Sequence, residues 1–206
     1  MSRNVNHLKE KARWLSYFTV GYNIAEGAVS VIAGSLVGSV ALIGFGFDSF
    51  LESLSGGVMI WRFKARHVLS HKQEERIEYR AIKLIGYSFF VFGTYVLYES
   101  LRKLYLQEVP DASLAGIFIA VFSLIIMPVL FYQKRKTARA MHSHSLLADS
   151  KQTLACMWMS VALLAGVGLH YLYGWWWADP VAGLFIVLFL FREGYHALKE
   201  AELCAC

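Results

Sequence analysis

Charge is scarce in this chain: only 17% of its 206 residues are Asp, Glu, Lys or Arg. A soluble domain of that length rarely carries so little, and 57% hydrophobic residues point to a chain surrounded by lipid. Proline is nearly missing, with three residues, so long helices are permitted almost throughout. Cysteine is equally sparse. Cys156, Cys204 and Cys206 make an odd count with no disulfide framework, and reduced thiols are expected. No short apolar core with a small-residue cleavage site stands near the start, so a cleavable signal peptide is not expected. Nucleophile-elbow, HExxH and phosphate-loop patterns are missing too, as is a haem-binding His pair, and the expectation is a protein that is not an enzyme.

Long apolar runs take the place of those features. A membrane span needs about 20 apolar residues. The spans expected are Trp14–Val37, Ser39–Trp61, Ile82–Lys103, Ser113–Tyr132, Ser145–Tyr171 and Pro180–Leu198. The fold class expected is therefore all-α: a polytopic membrane protein with six transmembrane helices. Residues 1–206 are read as one transmembrane domain with no C-terminal cytoplasmic domain. Trp14 and Trp61 fall at the inner span boundaries, and Tyr173 and Trp175–Trp177 at an outer one, where aromatic residues favour the headgroup zones. Asp179-Pro180 reads as the start of the last helix.

The net charge of +5 is distributed by side. Arg3, Lys9, Lys11 and Arg13 precede the first span. Arg62 to Lys83 carries seven Lys and Arg residues after the second, and Lys134, Arg135, Lys136 and Arg139 follow the fourth. This is the positive-inside pattern, which places both termini in the cytoplasm. It assigns the basic residues to lipid headgroups and leaves no role for nucleic acid.

Within the second run, Asp48 and Glu52 are four residues apart, on one helix face one turn apart. Carboxylates at bilayer depth cost several kcal/mol by most estimates and are kept where a cation, a proton or a partner group uses them. No Lys or Arg is expected at a comparable depth to neutralise them. The fifth span supplies a polar stripe of Asp149, Gln152, Thr153, Cys156 and Ser160, and the first a similar one of Asn23, Glu26, Gly27, Ser30 and Gly34. If the three faces converge they enclose carboxylates, an amide and a thiol, a donor set that favours zinc over magnesium or calcium. Plainer readings stand beside this one. Cys156 serves as a small packing residue or a ligand, and Gln152 bonds a neighbouring helix or a metal. Glu26 and Asn23 pair with each other, with Tyr hydroxyls or with the ion. Asp149 is expected where water reaches it. His67 and His71 fit a solvated connection. His142 and His144 flank the fifth span, and Cys204 and Cys206 end the chain.

The segments GSVALIGFGFDSFLESLSG (38–56), LLADSKQTLACMWMS (146–160) and DPVAGLFIVLFLFREGY (179–195) resemble the cation diffusion facilitator (cation efflux) family of metal/proton antiporters. The likeness is closest to short members built of the transmembrane domain alone. That family places a His/Asp-xxx-Asp pair on the second span and a His-xxx-Asp pair on the fifth. The resemblance carries these onto Asp48 and Glu52, and onto Gln152 and Cys156. The fifth-span pair departs from the pattern, losing one carboxylate and one imidazole, a charge that Glu26 is placed to restore. The metal candidates are thus Asp48, Glu52, Gln152, Cys156, Glu26, Asn23 and Asp149. The resemblance implies export of a divalent transition metal, zinc first, by proton antiport with alternating access. It further implies a homodimer in a bacterial inner (plasma) membrane and no prosthetic group. Two other readings are a non-transporting metal-binding sensor or regulator, and a membrane enzyme using Asp48 and Glu52 as an acid/base pair. For the enzyme no substrate clamp is visible.

Overall fold

The computed structural model is a bundle of six helices: α1 Ser2–Val37, α2 Val40–Ala65, α3 His71–Leu106, α4 Leu114–Met141, α5 His144–Tyr173 and α6 Ala178–Cys204. The structure describes residues 2–65, 71–111, 113–141 and 144–204. His67, His71, His142, His144, Cys204 and Cys206 lie outside the described side chains. The helices follow the expected spans and overrun several ends. α1 starts at Ser2 because the segment HLKEKAR consists largely of good helix formers, which extend the helix beyond its apolar part.

Helices pack most closely as the pairs α1 with α2, α3 with α6 and α4 with α5, and α2 also meets α3, α5 and α6. The surface identifies α2 as the interior helix. Among the described residues it exposes one large hydrophobic side chain, Leu54, whereas α1, α3, α4, α5 and α6 each present several. Five helices of the described chain are long and apolar enough to cross a bilayer, and α2 is not one of them. The difference from six expected spans has a physical cause. At 26 residues α2 is long enough, but Asp48, Glu52, Ser49, Ser53, Ser55 and its glycines dilute its apolar content.

The bundle is apolar outside, and inside it sets buried polar groups beside an apolar core that includes Phe45, Leu51, Phe89 and Met159. Asn23, Glu26 and Ser30 of α1, Asp48, Ser49, Glu52 and Ser53 of α2, Ser123, Lys134 and Thr137 of α4, and Ser150, Thr153 and Ser160 of α5 are all buried. Small residues let these faces meet, as expected where lipid offers no hydrophobic driving force between helices. A Cβ on Gly46 would stand 2.7 Å from Val31 Cγ2 and 3.0 Å from the Gly27 carbonyl oxygen.

The α1–α2 connection is only Gly38 and Ser39. Gly38 turns the chain with φ +66°, a left-handed conformation that favours glycine. The Ser39 amide then bonds back to the Gly34 carbonyl at 2.9 Å. Ser39 Oγ caps α2 by accepting from the Leu42 amide at 3.1 Å, and itself donates to Asp179. Asp179 also accepts from the Val40 amide at 2.9 Å. The carboxylate that opens α6 therefore satisfies orphan donors at the start of α2. Lys103 of α3 donates to the Gly38 carbonyl in the same region.

Candidate metal centre

The helical repeat brings Asp48 and Glu52 to the same inward face of α2, where they are 2% and 1% exposed. Across from them α5 presents Cys156, which is 0% exposed. One ligand atom from each residue lies within 4.8 Å of the other two. Donors around one tetrahedral zinc stand roughly 3.5 Å apart, given bonds of about 2.0–2.3 Å, so a small contraction closes the three on an ion. Two ionised carboxylates in a dry chamber repel unless a proton or a positive charge joins them, so the trio has the donor chemistry a cation could use.

Glu52 has two unlike oxygens. Oε1 accepts from the Thr153 hydroxyl at 3.0 Å, while Oε2 has no hydrogen-bond partner among the described residues. Asn23 of α1 is fully buried beside Glu52, close enough to act on its carboxylate, although neither amide atom makes a hydrogen bond of good geometry. Buried polar atoms are nearly always satisfied, so these unpaired atoms next to the trio are open to a further partner, as are those of Ser30, Ser100 and His170.

Other candidates are committed elsewhere. Glu26 accepts from the Tyr22 hydroxyl at 2.7 Å on Oε1 and from Ser49 at 3.0 Å on Oε2. It lies outside the trio and bonds α1 to α2. Asp149, expected near water, keeps a 10% exposed side chain and is also held by Lys134 at 3.0 Å. Gln152 is half-buried, one turn before Cys156. Ser160 and Ser123 bond to each other at 2.8 Å, joining α5 to α4.

Lys134 corrects the expectation that no basic residue reaches this depth. It is 1% exposed, with its ammonium 4.0 Å from Glu52 Oε1, and it donates to Thr153 Oγ1 at 2.9 Å. The sequence assigned it to the basic flank with Arg135, Lys136 and Arg139, which are indeed exposed. Helix α4 continues to Met141, however, and its buried stripe runs Gly116, Ala120, Ser123, Met127, Leu130, Lys134 and Thr137. That spacing of threes and fours was the available signal, since it turns residue 134 inward and 135 outward. Tyr22, four residues before Glu26, was likewise legible as its partner.

The model of the cation efflux transmembrane domain matches residues 17–202. An uncharacterized transporter of Synechocystis is 24% identical over 92% of this chain. A cadmium, cobalt and zinc/H(+)-K(+) antiporter of Bacillus velezensis is 24% identical over 98% of it. The cation-efflux pump FieF of Shewanella oneidensis is 26% identical over 83%. The chain spans less than two thirds of each relative's length, at 62%, 65% and 60% respectively.

Proposed function

The chain belongs to the cation efflux family, and on that premise we propose that it exports a divalent transition-metal cation from the cytoplasm in exchange for protons. Zinc is the first substrate proposed. The observation that carries this reading is the buried trio Asp48, Glu52 and Cys156, with donor atoms within 4.8 Å of one another. Two hard oxygens and one soft sulfur suit a borderline ion. In this reading the unpartnered amide of Asn23, or Gln152 one turn from Cys156, supplies a neutral fourth donor. Glu26 and Asp149 stay with their protein partners and do not ligate.

Exchange follows from ligand chemistry. A carboxylate or thiol must be deprotonated to hold the metal, so binding expels protons and returning protons expel the metal. Alternation of the chamber between the two membrane faces then couples one flux to the other. The arrangement proposed is a plasma-membrane homodimer with cytoplasmic termini, its subunits joined through the apolar outer faces.

Everted vesicles or proteoliposomes containing the full chain test this. Zn2+ accumulation is expected when an opposing proton gradient is imposed, and Asp48→Asn should abolish it while eluting like the wild type. Undiminished flux in that variant would overturn the site. Saturable Zn2+ binding with no flux under any gradient would replace transport by a sensing or regulatory role.

A further inference from the structure

An ammonium group sealed inside a membrane bundle, between one carboxylate of the candidate site and a second outside it, requires an account. Desolvation of an ion is severe unless fixed partners replace its water. Lys134 has them: Asp149 Oδ2 at 3.0 Å, Thr153 Oγ1 at 2.9 Å and Glu52 Oε1 at 4.0 Å. Thr153 accepts from the lysine, and its one hydroxyl hydrogen lies between Glu52 Oε1 at 3.0 Å and the Asp149 backbone carbonyl at 3.2 Å; directed at Glu52, it links the two carboxylates through one cation and one hydroxyl. The geometry is asymmetric. The direct ion pair is with Asp149, outside the trio, while Glu52 is reached at the edge of ion-pair distance and keeps Oε2 free. Formal charges divide the same way. Lys134 and Asp149 cancel, which leaves Asp48, Glu52 and the Cys156 thiolate to face a divalent ion.

Building on the transport-site reading above, we propose that Lys134 is a tethered counter-cation that sets the affinity of the Asp48–Glu52–Cys156 site. Asp149 is its positioning partner, holding the ammonium back from Glu52. The fixed charge beside Glu52 weakens the hold on a divalent ion, so the ion that enters can also leave. Thr153 keeps Glu52 Oε1 turned toward the lysine and thus determines which oxygen faces the ion.

The test is Zn2+ titration of the purified full chain in detergent at one fixed pH, read as Kd by calorimetry. Removing a unit charge a few ångströms from the ion, in surroundings of intermediate dielectric, should tighten binding by about tenfold or more, and this is expected of Lys134→Met. Asp149→Asn releases the ammonium toward Glu52 and should weaken binding by a similar factor, on the order of tenfold. The double variant Lys134→Met/Asp149→Asn removes both charges and should return to within about threefold of the wild type, the value to which the two opposite single effects sum. Lys134→Arg, which keeps the charge, should stay near the wild type. If Lys134→Met does not give a monodisperse protein, the charge-balanced double variant and Asp149→Asn carry the test. Saturable wild-type binding with an unchanged or weaker Kd in well-folded Lys134→Met overturns this proposal alone, as does a double variant no closer to the wild type than Asp149→Asn. Absence of saturable Zn2+ binding to the wild type overturns the transport site and this proposal together.

Discussion

Thr153→Val preserves shape and removes one hydroxyl, and the structure sets the size of the effect. Thr153 Oγ1 accepts from Lys134 at 2.9 Å and donates to Glu52 at 3.0 Å, in a region closed to water. Hydrogen bonds to charged groups contribute about 1.5–3 kcal/mol each, and a buried charge left one bond short loses most of that. The two losses are not additive, because Lys134 keeps Asp149 at 3.0 Å and Glu52 then meets the lysine with nothing between them. The expected destabilisation is therefore about 3 kcal/mol, nearer the cost of one bond than of two. Thr153→Ser is the control. It keeps the hydroxyl and loses a buried methyl worth roughly 0.8 kcal/mol. Equilibrium unfolding of both variants in mixed micelles, followed by tryptophan fluorescence, separates the cases. Were Thr153→Val within about 1 kcal/mol of Thr153→Ser, the hydroxyl would be a packing group and the Lys134–Thr153–Glu52 relay would carry no energy.

Gly46→Val should destabilise the α1–α2 contact by about 1–3 kcal/mol, since its Cβ would stand 2.7 Å from Val31 Cγ2 and 3.0 Å from the Gly27 backbone oxygen. Gly57→Ala meets nothing within 4 Å and should be neutral or stabilising by up to about 1 kcal/mol, and melting temperatures of the pair check both. Asp179→Ala frees Ser39 Oγ and the Val40 amide at the start of α2 and should cost about 1–2 kcal/mol. Faster amide exchange at Val40 and Ala41, with little change at Asp48, would be its local mark. Zn2+ affinity should weaken as pH falls, because protons compete for Asp48, Glu52 and Cys156. Calorimetry in two buffers of different ionisation enthalpy counts the protons released, and a count of zero would refute exchange at this site.

Much of the site was legible because hydropathy and helical period are local properties. Asp48 and Glu52 stood out as a same-face pair in an apolar run, and Cys156 fell on a stripe at matching depth. The helices followed for the same reason. What stayed hidden was set by neighbours distant in sequence. Lys134 was grouped with the exposed Arg135 and Lys136, although its register with Met127 and Leu130 turns it inward. Asp179 read only as a residue of the α6 start, yet its carboxylate serves α2, 139 positions away at Val40. Glu26 offered two readings, and only three-dimensional packing assigned its oxygens to Tyr22 and Ser49. The charge balance of the chamber was thus misjudged even though its anions were found.

The same residues that give α2 its chemistry explain why it is inside. Facing lipid, Asp48 and Glu52 would each cost several kcal/mol, and no span with two such groups is at ease on the outside of a bundle. Packing resolves this: α1, α3, α5 and α6 lie against α2, and among the described residues Leu54 is its one exposed large hydrophobic side chain. Burial alone would leave two like charges without compensation. Tyr22 and Ser49 on Glu26, and Thr153 and Lys134 on Glu52, show how far the protein's own groups go toward satisfying the anions. They stop short at Glu52 Oε2 and at the neighbouring Asn23 amide. Among the described residues Ser30, Ser100 and His170 also keep an unpaired buried atom, but only at Glu52 does such an atom belong to a carboxylate, the group that most needs a positive partner.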